Sequence, residues 1–163
     1  MSILNFIKYL IKPRYKKEYK PFIVKDTKTI LREENLKIEL FCEETIDYCH
    51  NLKNYAGPCS RQHGHTGLLQ IWIKGDICFL DKSGILFDFN NIKEIKKELC
   101  HYNINKIFDE KFGGASPSAE NMALYVYNKL KKNSTKNYLE FKVRFYENAV
   151  LKKCYAELGD LKL

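Results

Sequence analysis

A chain of 163 residues with 45% apolar and 29% charged side chains has room for one ordinary domain and too much hydrophobicity for a disordered segment. No apolar run approaches the roughly 20 residues of a membrane-spanning helix, and eight Gly, four Pro and no visible period exclude collagen, coiled coils and repeat arrays. The net charge of +8 is concentrated at one end, nine Lys/Arg against four Asp/Glu in residues 1–35, which suits an anionic small molecule as well as nucleic acid, although no nucleic-acid-reading motif accompanies it.

In chain order, Ile3, Leu4, Ile7, Leu10 and Ile11 recur at helical spacing up to about Lys12, which predicts a short amphipathic helix ended by Pro13. Its apolar stripe fits a docked surface helix or, alternatively, a membrane-surface helix. Residues 14–35 read as a basic connector, so 1–35 form an N-terminal extension and 36–163 the domain proper. Strands are predicted at Leu36–His50 and His63–Lys74, with the Gly57-Pro58 loop between them. A third strand is expected at Gly84–Phe89. Asn90 or Asn91 is expected to cap a helix to about Tyr102, with 103–115 as loop. Ser116 with Pro117 reads as the start of a second helix to about Lys132. Tyr138–Glu147 alternates Leu139, Phe141, Val143 and Phe145 inward with Glu140, Lys142 and Arg144 outward, and Val150–Glu157 closes the chain as a last strand. The expectation is an α+β fold: an antiparallel sheet with two helices packed on one face.

Six cysteines, at 42, 49, 59, 78, 100 and 154, include no C-x-x-C pair, and the basic residues follow the first apolar stretch rather than precede it. Both features point to free thiols in a reducing, cytoplasmic setting.

The chain has four histidines, and three of them, His50, His63 and His65, fall within one short window. On a strand, residues i and i+2 point the same way, so His63 and His65 can converge on one ion, and the hairpin can bring His50 beside them. Three imidazoles with an open fourth position suit catalytic zinc, although nickel or iron also accept imidazole. Cys59 stands four residues before His63, and a thiol beside a dication is favoured as thiolate, able to act as a base.

Together these residues resemble the 6-pyruvoyl-tetrahydropterin synthase family, which includes the 6-carboxytetrahydropterin synthases of queuosine biosynthesis. The resemblance covers about Leu36 to Glu157. It rests on Cys59-x-x-x-His63-Gly64-His65, on His50 at a strand end, and on the G-x-x-x-D-F segment Gly84–Phe89. Further on it includes Leu99-x-His101-x-Asn103, Pro117-Ser118-Ala119-Glu120-Asn121, and Glu147 at another strand end. It implies a tunnelling fold (T-fold) whose subunits join sheets into a β-barrel of trimers and stack as a homohexamer. It also implies Zn2+ on His50, His63 and His65, Cys59 as the proton-transferring thiolate and His101 as the second acid/base. Glu147 would bind the pterin, with Ser118 and Glu120 near it. The implied activity is that of a lyase acting on 7,8-dihydroneopterin triphosphate to give 6-carboxy-5,6,7,8-tetrahydropterin and acetaldehyde. No nucleic acid and no membrane span are expected.

Two departures from the family pattern bear on this. Where the family has Asp before the second-site histidine, this chain has Cys100, so either activity is lower or another carboxylate, Glu98 or Asp88, orients His101. Tyr48-Cys49 precedes His50 where small residues are usual, which narrows the pocket. The alternatives are therefore a 6-pyruvoyl product from the same residues, or a pterin-binding protein with impaired catalysis.

Overall fold

The structure, a computed structural model, describes residues 36–134 and 138–161. The expected helix at 1–12 and the connector after it lie outside the described residues. Among those described, the chain forms two compact units, one of residues 36–39 with 74–88 and one of residues 40–73 with 89–161.

Two long strands come first, β1 (Lys37–His50) and β2 (His63–Asp76). Leu36 O accepts from Ile77 N at 2.9 Å, and Gln70 donates to Glu43 at 2.7 Å and Thr66 to Asp47 at 2.6 Å. One index rises as the other falls, so the two strands run antiparallel and His50 meets His63 at their far end. The helices are α1 (Asn90–Leu99), α2 (Ile104–Lys111) and α3 (Ala119–Asn133). The remaining strands are β3 (Tyr102–Asn103), β4 (Glu140–Tyr146) and β5 (Tyr155–Gly159). The sheet order is β3-β1-β2-β4-β5.

The class is α+β as expected, with two corrections. The sheet is mixed rather than antiparallel, because β3 pairs in parallel with β1, Tyr48 opposite Tyr102 and Cys49 opposite Asn103. Within one chain its edge strands are β3 and β5. And there are three helices among the described residues, since 104–111, expected as loop, is helical. Asn103 caps α2 by accepting from Asn105 N at 3.0 Å, and Ile104, Ile107 and Phe108 are buried at helical spacing. The helix ends where Gly113 and Gly114 take positive φ, with Gly114 N returning to Phe108 O.

Four local expectations fail. Gly84–Phe89 is not a strand. Asp81 accepts from Ser83 N and Ile85 N through its side chain, and its own N–H and C=O pair with Ile85 and Gly84, which closes a turn in place of a ladder. Neither Asn90 nor Asn91 is the cap of α1. Phe89 holds that position, with Ile92 N and Lys93 N bonding back to its carbonyl. Ser116 does not cap α3 either: the N-cap is Ser118, whose hydroxyl accepts from Asn121 N at 3.4 Å. The last strand starts at Tyr155, not Val150.

One face of the second unit's sheet carries the core. Ile46 from β1, Leu69, Ile71 and Ile73 from β2, and Phe141, Val143 and Phe145 from β4 are essentially inaccessible. So are Met122, Val126 and Leu130 of α3 and Ile92 and Leu99 of α1. Helix α3 packs on β4 and β5, and α1 packs against α3. On the opposite face Lys142, expected to point to solvent, is only 4% exposed, because its Nζ sits 4.1 Å above the Trp72 ring.

Candidate metal centre

The antiparallel pairing of β1 and β2 places the last residue of one strand beside the first residues of the other. His50, His63 and His65 consequently form a triangle of rings with centroids 4.7, 4.8 and 5.1 Å apart. One ligating nitrogen from each lies within 4.8 Å of the other two. His50 Nδ1 stands 2.7 Å from Pro117 O, and His63 Nδ1 2.8 Å from Arg61 O. A carbonyl can only accept, so these contacts fix the proton on Nδ1 and leave the Nε2 lone pairs free. The Nε2 atoms of His50 and His65 are buried with no hydrogen-bond partner among the described residues.

The electrostatics agree with neutral rings. Burial lowers the pKa of His50, outweighing the hydrogen bond to Pro117 and the charge of Glu147, which both act the other way. Burial also lowers His65, again against Glu147. Buried acceptors that converge without donors are costly unless something positive sits between them. The donor set therefore fits a divalent cation that accepts imidazole.

The loop after His50 is held rigid by groups that sequence reasoning passed over. Asn105, buried on α2, accepts from Asn51 N at 2.8 Å and donates to Asn51 O at 2.9 Å, satisfying that residue's backbone on both sides. Ser116 accepts from Lys53 N at 2.7 Å and donates to Lys53 O at 3.1 Å. The only sequence signal for Asn105 was a polar residue inside an apolar helical period. Tyr48 is buried with its ring 5.2 Å from that of His50 and 5.6 Å from that of His65, and its hydroxyl has no partner among the described residues. Burial, and then the Glu147 charge, pushes its phenol pKa upward. Gly67 makes room for this ring: a Cβ there would lie 3.1 Å from Tyr48 and 2.9 Å from Phe145.

The other expected site residues fall into three places. Glu147, just past the end of β4, is close enough to act on His50, His65 and Tyr48 through its charge. Cys59 lies half-buried on the single turn Pro58–Ser60, tied to the His50 side by Leu52 N donating to Cys59 O at 2.8 Å, and its thiol is not part of the three-histidine group. His101 stands apart from the three histidines, grouped with Asp47 and Cys100. Glu98 does not orient it. That carboxylate is engaged by Lys111, Lys129 and Tyr125. Ser118 and Glu120 open α3, where hydrogen bonding to Ser118 lowers the Glu120 pKa, and the carbonyl just before them is the one that holds His50.

A mixed sheet backed by helices, with three histidines gathered at one strand end, is the arrangement a T-fold domain presents. The model of the 6-pyruvoyl tetrahydropterin synthase family matches residues 39–158, and the chain belongs to that family, and with it among the lyases. The dihydroneopterin monophosphate aldolase of Pyrococcus furiosus is 31% identical over 102 residues, 60% of this chain and 79% of the relative. The 6-carboxy-5,6,7,8-tetrahydropterin synthase of Synechocystis is 26% identical over 98 residues, 56% of this chain and 73% of the relative. Among solved structures, the 6-pyruvoyl tetrahydropterin synthase of Caenorhabditis elegans aligns over 77% of this chain and 97% of its own length, with TM-score 0.59 and 21% identity, and so supports the fold. No described helix is long and apolar enough to cross a membrane.

Proposed function

We propose that this protein is a zinc-dependent 6-carboxy-5,6,7,8-tetrahydropterin synthase of the queuosine pathway, acting in the cytoplasm on 7,8-dihydroneopterin triphosphate. The observation that carries the reading is the convergence of three imidazoles whose Nδ1 positions are held by carbonyls or whose Nε2 atoms are buried and unpaired. His50, His63 and His65 would hold Zn2+, which when bound supplies Lewis-acid polarisation of the vicinal oxygens on the substrate side chain. Cys59 takes a proton from that side chain, and His101 serves as the second acid/base. Glu147 accepts hydrogen bonds from the pterin amino group and ring N–H. Ser118 and Glu120 flank the pterin from the start of α3. The subunits join through the open sheet edges into a hexamer, which would remove the unpaired strand edges.

The Pyrococcus furiosus relative favours a second reading, cleavage of a dihydroneopterin monophosphate side chain by the same residues. A pyruvoyl product, or pterin binding with impaired turnover because of Cys100, completes the alternatives. One experiment separates them: the zinc-loaded protein is given the triphosphate and the monophosphate in parallel, and the products are identified by mass spectrometry. A 6-carboxypterin with acetaldehyde supports the proposal. A hydroxymethylpterin from the monophosphate supports the aldolase, and binding of both pterins with no product from either overturns both. Native mass spectrometry tests the hexamer.

A further inference from the structure

His101 sits in an unusual piece of backbone. It follows Cys100, the C-cap of α1, and takes φ 63°, a left-handed conformation that a side chain other than glycine's adopts at a cost. What holds it there is a hydrogen bond from its N–H to Asp47 O at 2.5 Å, immediately before the parallel bridge of β3 to β1. The same Asp47 turns its side chain toward His101. A carboxylate oxygen of Asp47, a ring nitrogen of His101 and Cys100 Sγ lie within 4.8 Å of one another.

The carboxylate is itself anchored. Thr66 Oγ1 donates to Asp47 Oδ1 at 2.6 Å, and Thr66 is the residue after His65. An ionised carboxylate has about four lone-pair positions, so the Thr66 bond leaves acceptor capacity toward His101. Cys100 has only a weak donor and acceptor to offer. Asp47, Thr66 and His101 line one open depression of about 570 Å³, which also reaches His65.

We propose that Asp47 is the positioning residue of His101: its carboxylate accepts the ring N–H, fixes the tautomer and orients the free nitrogen into the depression that His65 also lines. The proposal rests on the reading of His101 as acid/base for its catalytic consequence, but not for its structural content. The chain thus supplies from the neighbouring strand the orienting carboxylate that the residue before His101 does not provide. Glu98, held by its lysines and Tyr125, is not needed for the role.

The test uses the full-length zinc-loaded protein labelled with 15N-histidine. Solid-state 15N spectra give the tautomer of each ring whatever the size of the assembly, and His101→Gln identifies the resonance. A single His101 tautomer is expected in the wild type and a mixture in Asp47→Asn. Thr66→Val, which removes only the anchor, is the second variant and is expected to mix the tautomers partly. Unchanged His101 spectra in whichever of these variants folds overturn the proposal. In turnover of the pterin, Asp47→Asn is expected to lower kcat about tenfold to a hundredfold with KM within about twofold. Cys100→Asp in that background is expected to restore most of the loss, and failure to restore it counts against the proposal. A wild type that turns over no pterin while its His101 spectrum responds to Asp47→Asn refutes the proposed function and leaves the Asp47–His101 pair standing.

Discussion

At the His50 end of the sheet and across its open face at Lys142, side-chain nitrogens are buried without a hydrogen-bond partner among the described residues. At the first place the nitrogens are lone pairs on rings whose other side is held by carbonyls or closed off by burial, and they point at one another. At the second the nitrogen is an ammonium, and it lies 4.1 Å above Trp72, whose ring also has the Arg144 guanidinium 5.1 Å away. The ammonium already has a partner, the negative face of an aromatic ring, which no hydrogen-bond criterion registers. The imidazoles have none, and acceptors do not satisfy acceptors. An unpaired buried nitrogen therefore indicates a ligand only where its sign is wrong for its surroundings.

The largest effect expected from this contrast is on metal content. His65→Ala removes one of the three proposed ligands and is expected to weaken zinc binding by well over the hundredfold that loss of a mere supporting contact can cause, whereas Lys142→Met is expected to leave it unchanged. Metal analysis after dialysis against a competing chelator measures both. Equal metal content in the two variants would erase the distinction.

The next effect concerns the scaffold behind the ligands. Asn105→Ala strips two hydrogen bonds from the half-buried backbone of Asn51, the residue after His50. The expected cost is ~2–3 kcal/mol of unfolding free energy, since a partner left unsatisfied costs more than the bond itself contributes. Zinc affinity is expected to fall about tenfold, in the range of outer contacts to a metal site. Denaturant titration of the metal-free protein and zinc titration of the folded protein measure the two separately.

At the other region, Lys142→Met keeps an unbranched chain over Trp72 and discards the burial of a charge. Stability is expected to change by no more than ~1 kcal/mol, and in the stabilising direction, as when buried ionic groups are replaced by apolar ones of similar volume. A loss of several kcal/mol in thermal or denaturant unfolding would mean that the ammonium has a partner beyond the ring.

What was legible in the sequence follows the range of the interactions involved. His63 and His65 share a face by strand geometry alone, and His50 needs only one hairpin to join them. The three-histidine group was therefore readable, together with β1, β2, β4 and α3. Asp47 beside His101 was not, because it depends on a two-residue parallel bridge between segments more than 50 positions apart. Helix α2 spans only two turns, too short for its Ile104, Ile107 and Phe108 period to stand out beside the polar residues around it. Burial of Lys142 depends on a tryptophan in another strand, so the alternation of β4 alone assigned it to solvent. Ser118 took the cap from Ser116 because the Ser116 hydroxyl is occupied by Lys53, a contact between distant loops.

Glu98 supplies the control for both regions, a half-buried charge with every need met by hydrogen-bonding partners. Burial alone would raise its carboxyl, but hydrogen bonds from Lys111, Lys129 and Tyr125 outweigh that and bring it from the ordinary 4.5 down to about 2. A carboxyl whose folded pKa lies below its unfolded one contributes stability in full above the unfolded value, and that contribution disappears as pH falls from about 4.5 toward 2. Glu98→Gln is therefore expected to be less stable than the wild type at neutral pH and to show a shallower loss between pH 4.5 and 2. The difference is expected to stay small, because Lys111 remains partly exposed to solvent that screens it. Denaturant unfolding at a series of pH values reads the slope directly. Parallel slopes for the two proteins would show that the lysines around Glu98 lie near it without being coupled to its charge.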